Sequence, residues 1–396
     1  AARSQGKGNN DRIMQFAQLH GNEALKASLT GMVDSGKMGH ALLFVEEQGM
    51  GAIAYALALS QYINCKDRSG GDSCGVCNSC HKHGKLIHPD VHFVFPVAAV
   101  SSLGESEKKH PISDYFLDGF RTLMLSNPYF DEQDLFDALG LENKAGNISV
   151  HEARDIISKL SLKPYESEFK VMIIYLAEKM NAEASNKLLK LLEEPPEGTY
   201  FFLVCHKPDK LLPTILSRCQ IIRLQPDTPE DICEILCREE NADADRAMVA
   251  ARISRGSYGS ALKVLKEEEL SDEYASDIRS LLDAALEHNL TKLLAIAEAL
   301  TTPGREKQRD FCVYAENYIR KIFMFANGVP QISFALQGEY QDLGRYAAQI
   351  NKDFYSKALA SLDTAISAIE SNVNAKLIFV DLCNRFYIYI SDNGRQ

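Results

Sequence analysis

Short apolar runs of strand length alternate with helical patterns between His40 and Cys205, and this alternation constrains the fold more than any other feature of the chain. His40–Val45, Val91–Phe95, Phe169–Leu176 and Thr199–Cys205 each read as a buried strand. Ala52–Leu59 is alanine-rich and too long for a typical strand, so it predicts a helix. Ala24–Ser35 reads as a helix too, and Ala182–Glu194 as an amphipathic helix stopped by Pro195-Pro196. Ser149, with Glu152 three residues on, predicts a capping box ahead of a helix whose face is Ala153, Ile156, Ile157 and Leu160. Strands and helices in alternation imply an α/β fold, a parallel sheet with helices on both faces.

After Gln225-Pro226 the strand signals nearly vanish. Thr228 and Pro229 open a helical stretch reaching about Leu265, the charged run Lys266–Glu269 reads as solvated, and the rest to Asp392 reads as helices. The expected division is therefore an α/β domain over 16–226, a small helical domain over 227–270 and an all-α domain over 271–396. Residues 1–15 are expected to be a disordered end or a cloning remnant, since Gly, Asn and Gln leave little to bury. Residues from about 98 to 147 are poorly periodic, acidic and aromatic and read as an insertion, with helical hints at Ser113–Met124 and Glu132–Leu139.

A net charge of −11 argues against a protein that grips nucleic acid alone, because phosphate contacts need clustered Lys and Arg. No apolar run approaches the ~18 residues of a membrane span, so a cytoplasmic protein without membrane contact is expected. Of ten cysteines, Cys65, Cys74, Cys77 and Cys80 crowd one window. Two Cys-x2-Cys steps present thiolates to a single tetrahedral ion, and Cys65 closes a structural zinc site, the module spanning 65–80. His81 or His83 is the alternative to Cys80 as fourth ligand.

Gln48-Gly49-Met50-Gly51-Ala52-Ile53 lies between a strand and a helix, where a phosphate cradle would sit. A working cradle needs a lysine for the β/γ-phosphates and a hydroxyl for magnesium. Ala52 and Ile53 stand there instead, and Glu46 and Glu47 would repel a triphosphate. The strand Lys170–Ile174 likewise ends in Tyr175-Leu176 rather than in the acidic pair that magnesium chemistry requires, with Glu178 off the needed bearing.

Gly36–Phe44, the four-cysteine spacing, Asn186–Pro196 with its Leu-Leu-Glu-Glu-Pro-Pro ending, and Leu212–Cys219 with Ser217-Arg218-Cys219 are similar, in order and spacing, to the gamma/tau and delta-prime branch of the bacterial DNA polymerase III clamp-loader family. The resemblance covers roughly Gly21 to Leu265. It implies an AAA+-type α/β domain, a helical lid and a C-terminal collar that assembles with gamma/tau and delta subunits in a hetero-pentamer loading the sliding clamp onto primer-template DNA. In gamma/tau a sensor arginine follows Gly-Ser-x; here Gly256-Ser257-Tyr258-Gly259 has Gly259 in its place. Together with the missing lysine, hydroxyl and acidic pair, this points to the delta-prime side: a subunit with no ATPase of its own and no productive ATP or magnesium binding. The same resemblance makes Arg218, flanked by Ser217 and Cys219, an arginine finger acting in trans on a neighbour's ATP. Two readings compete with it: a gamma/tau-like ATPase, and a zinc-dependent nucleic-acid-binding module using Lys66, Arg68, Lys82 and Lys85.

Overall fold

Strands β1 (Ala41–Val45), β2 (Val91–Val94), β3 (Lys170–Tyr175) and β4 (Thr199–Cys205) form where the apolar runs predict them. A further strand, β5 (Gln220–Arg223), completes a five-stranded sheet of order β2-β3-β4-β1-β5, every pair parallel. The computed structural model describes residues 15–141, 144–333, 335, 337–371 and 373–391. The expected disordered end thus lies, Gln15 excepted, outside the described residues.

Side chains alternate across each strand and both faces are covered, the arrangement of a parallel sheet with helices on both sides. Leu42, Phe44, Val171, Ile173, Phe202 and Val204 face one core, shared with the helix Ala52–Asn64. Leu43, Met172, Ile174, Phe201 and Leu203 face the other, covered by Ile156 and Leu160 of the helix Val150–Ser161 and by Leu188 and Leu192 of the helix Ala182–Glu193. All strands run the same way, so β1, β3 and β4 end along one edge, where ligands of open parallel sheets bind.

The irregular segment from 98 to 147 contributes to the core: Phe120, Met124, Phe130, Leu135, Phe136 and Leu141 pack on the first face. Helices form at Leu117–Ser126 and Glu132–Ala138. An antiparallel bridge between Val97 and Asn147 fastens the segment's two ends together. Ser113 extends β2 by side chain, its Oγ accepting from Phe95 N at 3.0 Å and donating to Phe95 O at 3.1 Å.

Two local expectations at Val150–Ser161 are corrected. Ser149 caps the helix, accepting from His151 N at 3.2 Å, but Glu152 does not reach back to complete a capping box. Glu152 is fully buried and accepts from Ser113 N at 2.7 Å, the stronger demand because Ser113 is itself buried. Ile157 is exposed, outside the core that holds Ile156 and Leu160.

Residues up to 235 together with 254–261 form one unit, and residues 236–253 with 262–396 a second. The second contains helices only among its described residues, including Leu290–Ala299, Arg305–Ala326, Tyr340–Gln349, Lys352–Glu370 and Ala375–Ser391. Tyr318, Tyr346, Phe354 and Phe386 lie at its centre. Among the described residues no helix is long and apolar enough to cross a membrane.

Burial pushes the Glu152 carboxyl up to about 7, against the hydrogen bonds from Ser113. Its folded pKa exceeds the ~4.3 of an unfolded chain, so the stabilisation it gives while protonated is lost as pH rises through 7. Glu152→Gln should therefore gain stability relative to the native chain between about pH 5 and pH 8. Denaturant melts at both pH values measure this, and an unchanging difference would contradict it.

Candidate functional site

β1 leads through Glu46–Gly51 into the helix Ala52–Asn64, with Gly49 at φ 80° and Gly51 at φ 89°. The turn delivers the chain into a helix N-terminus whose amides and dipole favour an anion, as a phosphate cradle would. The anion present belongs to the chain itself. Glu46 is buried, and its Oε2 accepts from Ala52 N at 2.8 Å. Glu47, by contrast, is exposed. Ala52 and Ile53 are wholly inside the core, so the positions expected to carry lysine and hydroxyl face packing atoms rather than a ligand.

His206, one residue beyond β4, completes the ion pair, with Nε2 at 3.3 Å from Glu46 Oε1 and both side chains buried. Burial alone would depress the imidazole's pKa, but the hydrogen-bonded Glu46 carboxylate, reinforced by Glu178 and Glu132, raises it. Glu178 is itself engaged, its Oε1 accepting from His206 N at 2.9 Å and Lys207 N at 3.2 Å. Tyr175 ends β3 fully buried, with its ring 5.2 Å from that of Phe130. At the sensor position Gly259 N donates to Gly49 O at 2.9 Å. A Cβ on Gly259 would sit 2.0 Å from Tyr129 O and 2.8 Å from Gly49 O, so an arginine has no room there.

The four cysteines converge. Their sulfurs all lie within 4.8 Å of one another, with Cys77 Sγ 3.5 Å and Cys74 Sγ 3.9 Å from Cys80 Sγ. A tetrahedron with metal–sulfur bonds of ~2.3 Å has edges of ~3.8 Å, so the cluster can hold a metal ion. Cys74 N donates to Cys65 Sγ at 3.2 Å and Cys77 N to Cys74 Sγ at 3.3 Å, bonds that favour thiolates. In the metal-free chain burial raises the Cys77 thiol, yet hydrogen bonds from the backbone and neighbouring thiols outweigh it and bring it to about 6. His83 is committed elsewhere, its ring nitrogens 3.3 Å from Ser60 Oγ and 2.9 Å from Ser79 O, and His81 Nδ1 lies 3.1 Å from Cys77 O. Of the basic residues nearby, Arg68 pairs with Asp34 and Lys82 with Glu166, which weakens an anion-binding surface there.

Arg218 follows the short helix Pro213–Leu216, with Ser217 and Cys219 on either side. Its Nη2 lies 2.5 Å from Glu193 Oε1 and its Nη1 donates to Thr214 O at 2.9 Å. The fold thus joins the Leu-Leu-Glu-Glu-Pro-Pro and Ser-Arg-Cys stretches through one ion pair.

The family described as DNA polymerase III, delta subunit, matches residues 21–228, more than half of the chain. The chain belongs to that family. The delta-prime subunit of DNA polymerase III from Escherichia coli (strain K12) is 29% identical over 60% of this chain and 58% of its own length. That from Yersinia pestis is 31% identical over 67% of this chain and 64% of its own. The gamma/tau subunit of Mycobacterium tuberculosis (strain ATCC 25618 / H37Rv) is 26% identical over 74% of this chain and 45% of its own length. The chain therefore spans under two thirds of the length of these curated relatives. Within the family's matched span lie the cradle, the cysteines and Arg218; His206, Tyr129 and Glu193 were not singled out from sequence. His206 has a weak signal, because it directly follows a strand whose end borders the cradle.

The raised pKa of His206 means that its pairing with Glu46 stabilises fully below the ordinary ~6.5 and is lost as pH rises through the folded value. The stability gap between the native chain and His206→Gln should accordingly narrow from about pH 6 to about pH 9. Chemical denaturation across that range is the measurement, and a gap that widens would refute the pairing.

Proposed function

We propose that the chain is a non-hydrolysing subunit of a DNA polymerase III clamp loader, on the delta-prime side of the family. The observation that carries this reading is the Glu46 carboxylate on the first amide of the helix Ala52–Asn64, the place a nucleotide phosphate would need. A triphosphate entering there meets a buried negative charge and no lysine. The delta-prime and gamma/tau relatives support gamma/tau neighbours for this chain; the delta subunit, the sliding clamp and primer-template DNA are what the resemblance of the sequence motifs implies. A gamma/tau-like ATPase is disfavoured by the same carboxylate and by Tyr175, and a zinc-dependent nucleic-acid module by the neutralised Arg68 and Lys82.

Three parts share this work: the α/β domain to 226, a lid over 227–270 and a collar from 271. In the last, Leu290, Leu294 and Leu377 are 50%, 57% and 68% exposed and line a groove of ≈ 400 Å³ with Val380, an apolar surface suited to a sibling subunit. The cysteine cluster holds a structural zinc ion, its closed thiolate shell leaving no position for substrate.

Arg218 is the trans-acting arginine finger. Its present partner does not hold it firmly: the two side chains are 34% and 48% exposed, and such pairs contribute only ~0–1 kcal/mol. A neighbour's γ-phosphate, with more charge and two oxygens for the guanidinium fork, outcompetes one carboxylate.

The isolated chain should neither bind a fluorescent ATP analogue at micromolar concentration nor turn ATP over; hydrolysis that tracks the chain through repurification would sink the reading. Elemental analysis of protein purified without chelator should give one zinc per chain, and Cys77→Ser should abolish it. In a reconstituted loader Arg218→Ala should leave assembly intact and lower clamp-stimulated ATPase at one site by roughly 10³-fold or more, seen as a fractional loss in the total. Wild-type clamp loading by Arg218→Ala would remove the finger assignment.

A further inference from the structure

The segment 98–147 has no part in the reading above, yet it reaches the cradle. After the helix Leu117–Ser126, Asn127 Oδ1 accepts from Tyr129 N at 3.0 Å and turns the chain so that Tyr129 enters beside Gly51. Tyr129 is 5% exposed, and a Cβ on Gly51 would lie 2.6 Å from its Cδ1 and Cε1, so the ring rests on the bare face of that glycine. His20 stacks on the ring at 5.2 Å and 16°, and Tyr258 meets it edge-on at 5.0 Å. The Tyr129 hydroxyl accepts from His20 N at 2.9 Å, and Tyr129 O is the atom that closes off Gly259. Next in line, Phe130 packs on Tyr175.

A nucleotide brings two things to a cradle of this kind, an anion for the helix N-terminus and a planar ring alongside. Both are supplied here from within: the Glu46 carboxylate on Ala52 N and the Tyr129 ring over Gly51. We infer that residues 127–130 are a permanent internal ligand of this pocket, and that Tyr129 holds the 15–22 segment and the 254–261 turn in one pose without nucleotide. The departures at 52, 53, 175 and 259 are then one adaptation: Gly259 makes room for Tyr129 beside the bare face of Gly51, Tyr175 receives Phe130, and Ala52 and Ile53 seal the floor. Where an ATP-driven relative would move this turn with nucleotide state, this chain keeps it still.

The inference rests on reading 46–53 as a degenerate phosphate cradle, and the two fail separately. ATP binding by the native chain would overturn that reading, whereas the plug is tested on the full-length chain by Tyr129→Ala. Emptying the pocket removes a buried ring, and the melting temperature should fall by about 5–10 °C. Amide exchange should accelerate at least tenfold in 15–22 and 254–261 together, and millimolar 4-methylphenol, the lost side chain, should restore part of both. The native chain, already filled, should show no shift with 4-methylphenol. Tyr129→Phe keeps the ring and loses only the hydroxyl, so exchange should rise at the His20 amide and stay low across 254–261. Unchanged exchange in both segments of Tyr129→Ala, an equal 4-methylphenol shift in the native chain, or an unaltered His20 amide in Tyr129→Phe would each overturn the inference.

Discussion

A single hydrogen bond, from Ala52 N to Glu46 Oε2, organises the functional edge of the sheet. A helix N-terminus in a dry site demands an acceptor, and leaving it without one costs about 1–3 kcal/mol. The loop meets that demand itself with a buried carboxylate, which creates the need for a partner. His206 meets it, and Glu178 in turn fastens the backbone that carries His206. Three strand ends, those of β1, β3 and β4, are thereby linked by side chains.

The cysteine window shows the same economy within the α/β unit. Asp72, between Cys65 and Cys74, accepts from Phe16 N at 3.2 Å and Ala17 N at 2.9 Å, while Gln61 Nε2 donates to Ser73 Oγ at 2.7 Å. The cysteine turn is therefore tied both to the helix Ala52–Asn64 and to the chain leading towards His20. A change in the cysteine turn would be felt in the approach to the pocket as well.

Much of this was legible in the sequence, and the exceptions have physical causes. β1, β3 and β4 are buried on both faces, so each announces itself as an unbroken apolar run. β5 lies at the sheet's edge with only Ile222 buried, and Gln220 and Arg223 hide it from any search for apolar runs. The segment 98–147 reads as irregular because its core residues sit on short helices and turns, too brief to display a period. Glu152 was misread because its partner Ser113 lies 39 residues away, beyond any local motif. The cradle's missing lysine and hydroxyl were plain, as were the clustered cysteines, but what fills the cradle was not: Tyr129 is 78 residues from Gly51 (129 − 51) and carries no local signature.

The bridge between Val97 and Asn147 gives that distant segment an unusual architecture of attachment. Because its ends already meet, everything between them is a closed excursion, and in its exposed turns added length costs little, each doubling of a flexible loop adding only about 0.6 kcal/mol. A lineage can therefore lengthen, shorten or exchange the excursion without disturbing the register of β2 and β3. The contents of the pocket are in this sense carried on a loop pinned at a single clasp, with the sheet reading only that clasp and the core side chains between.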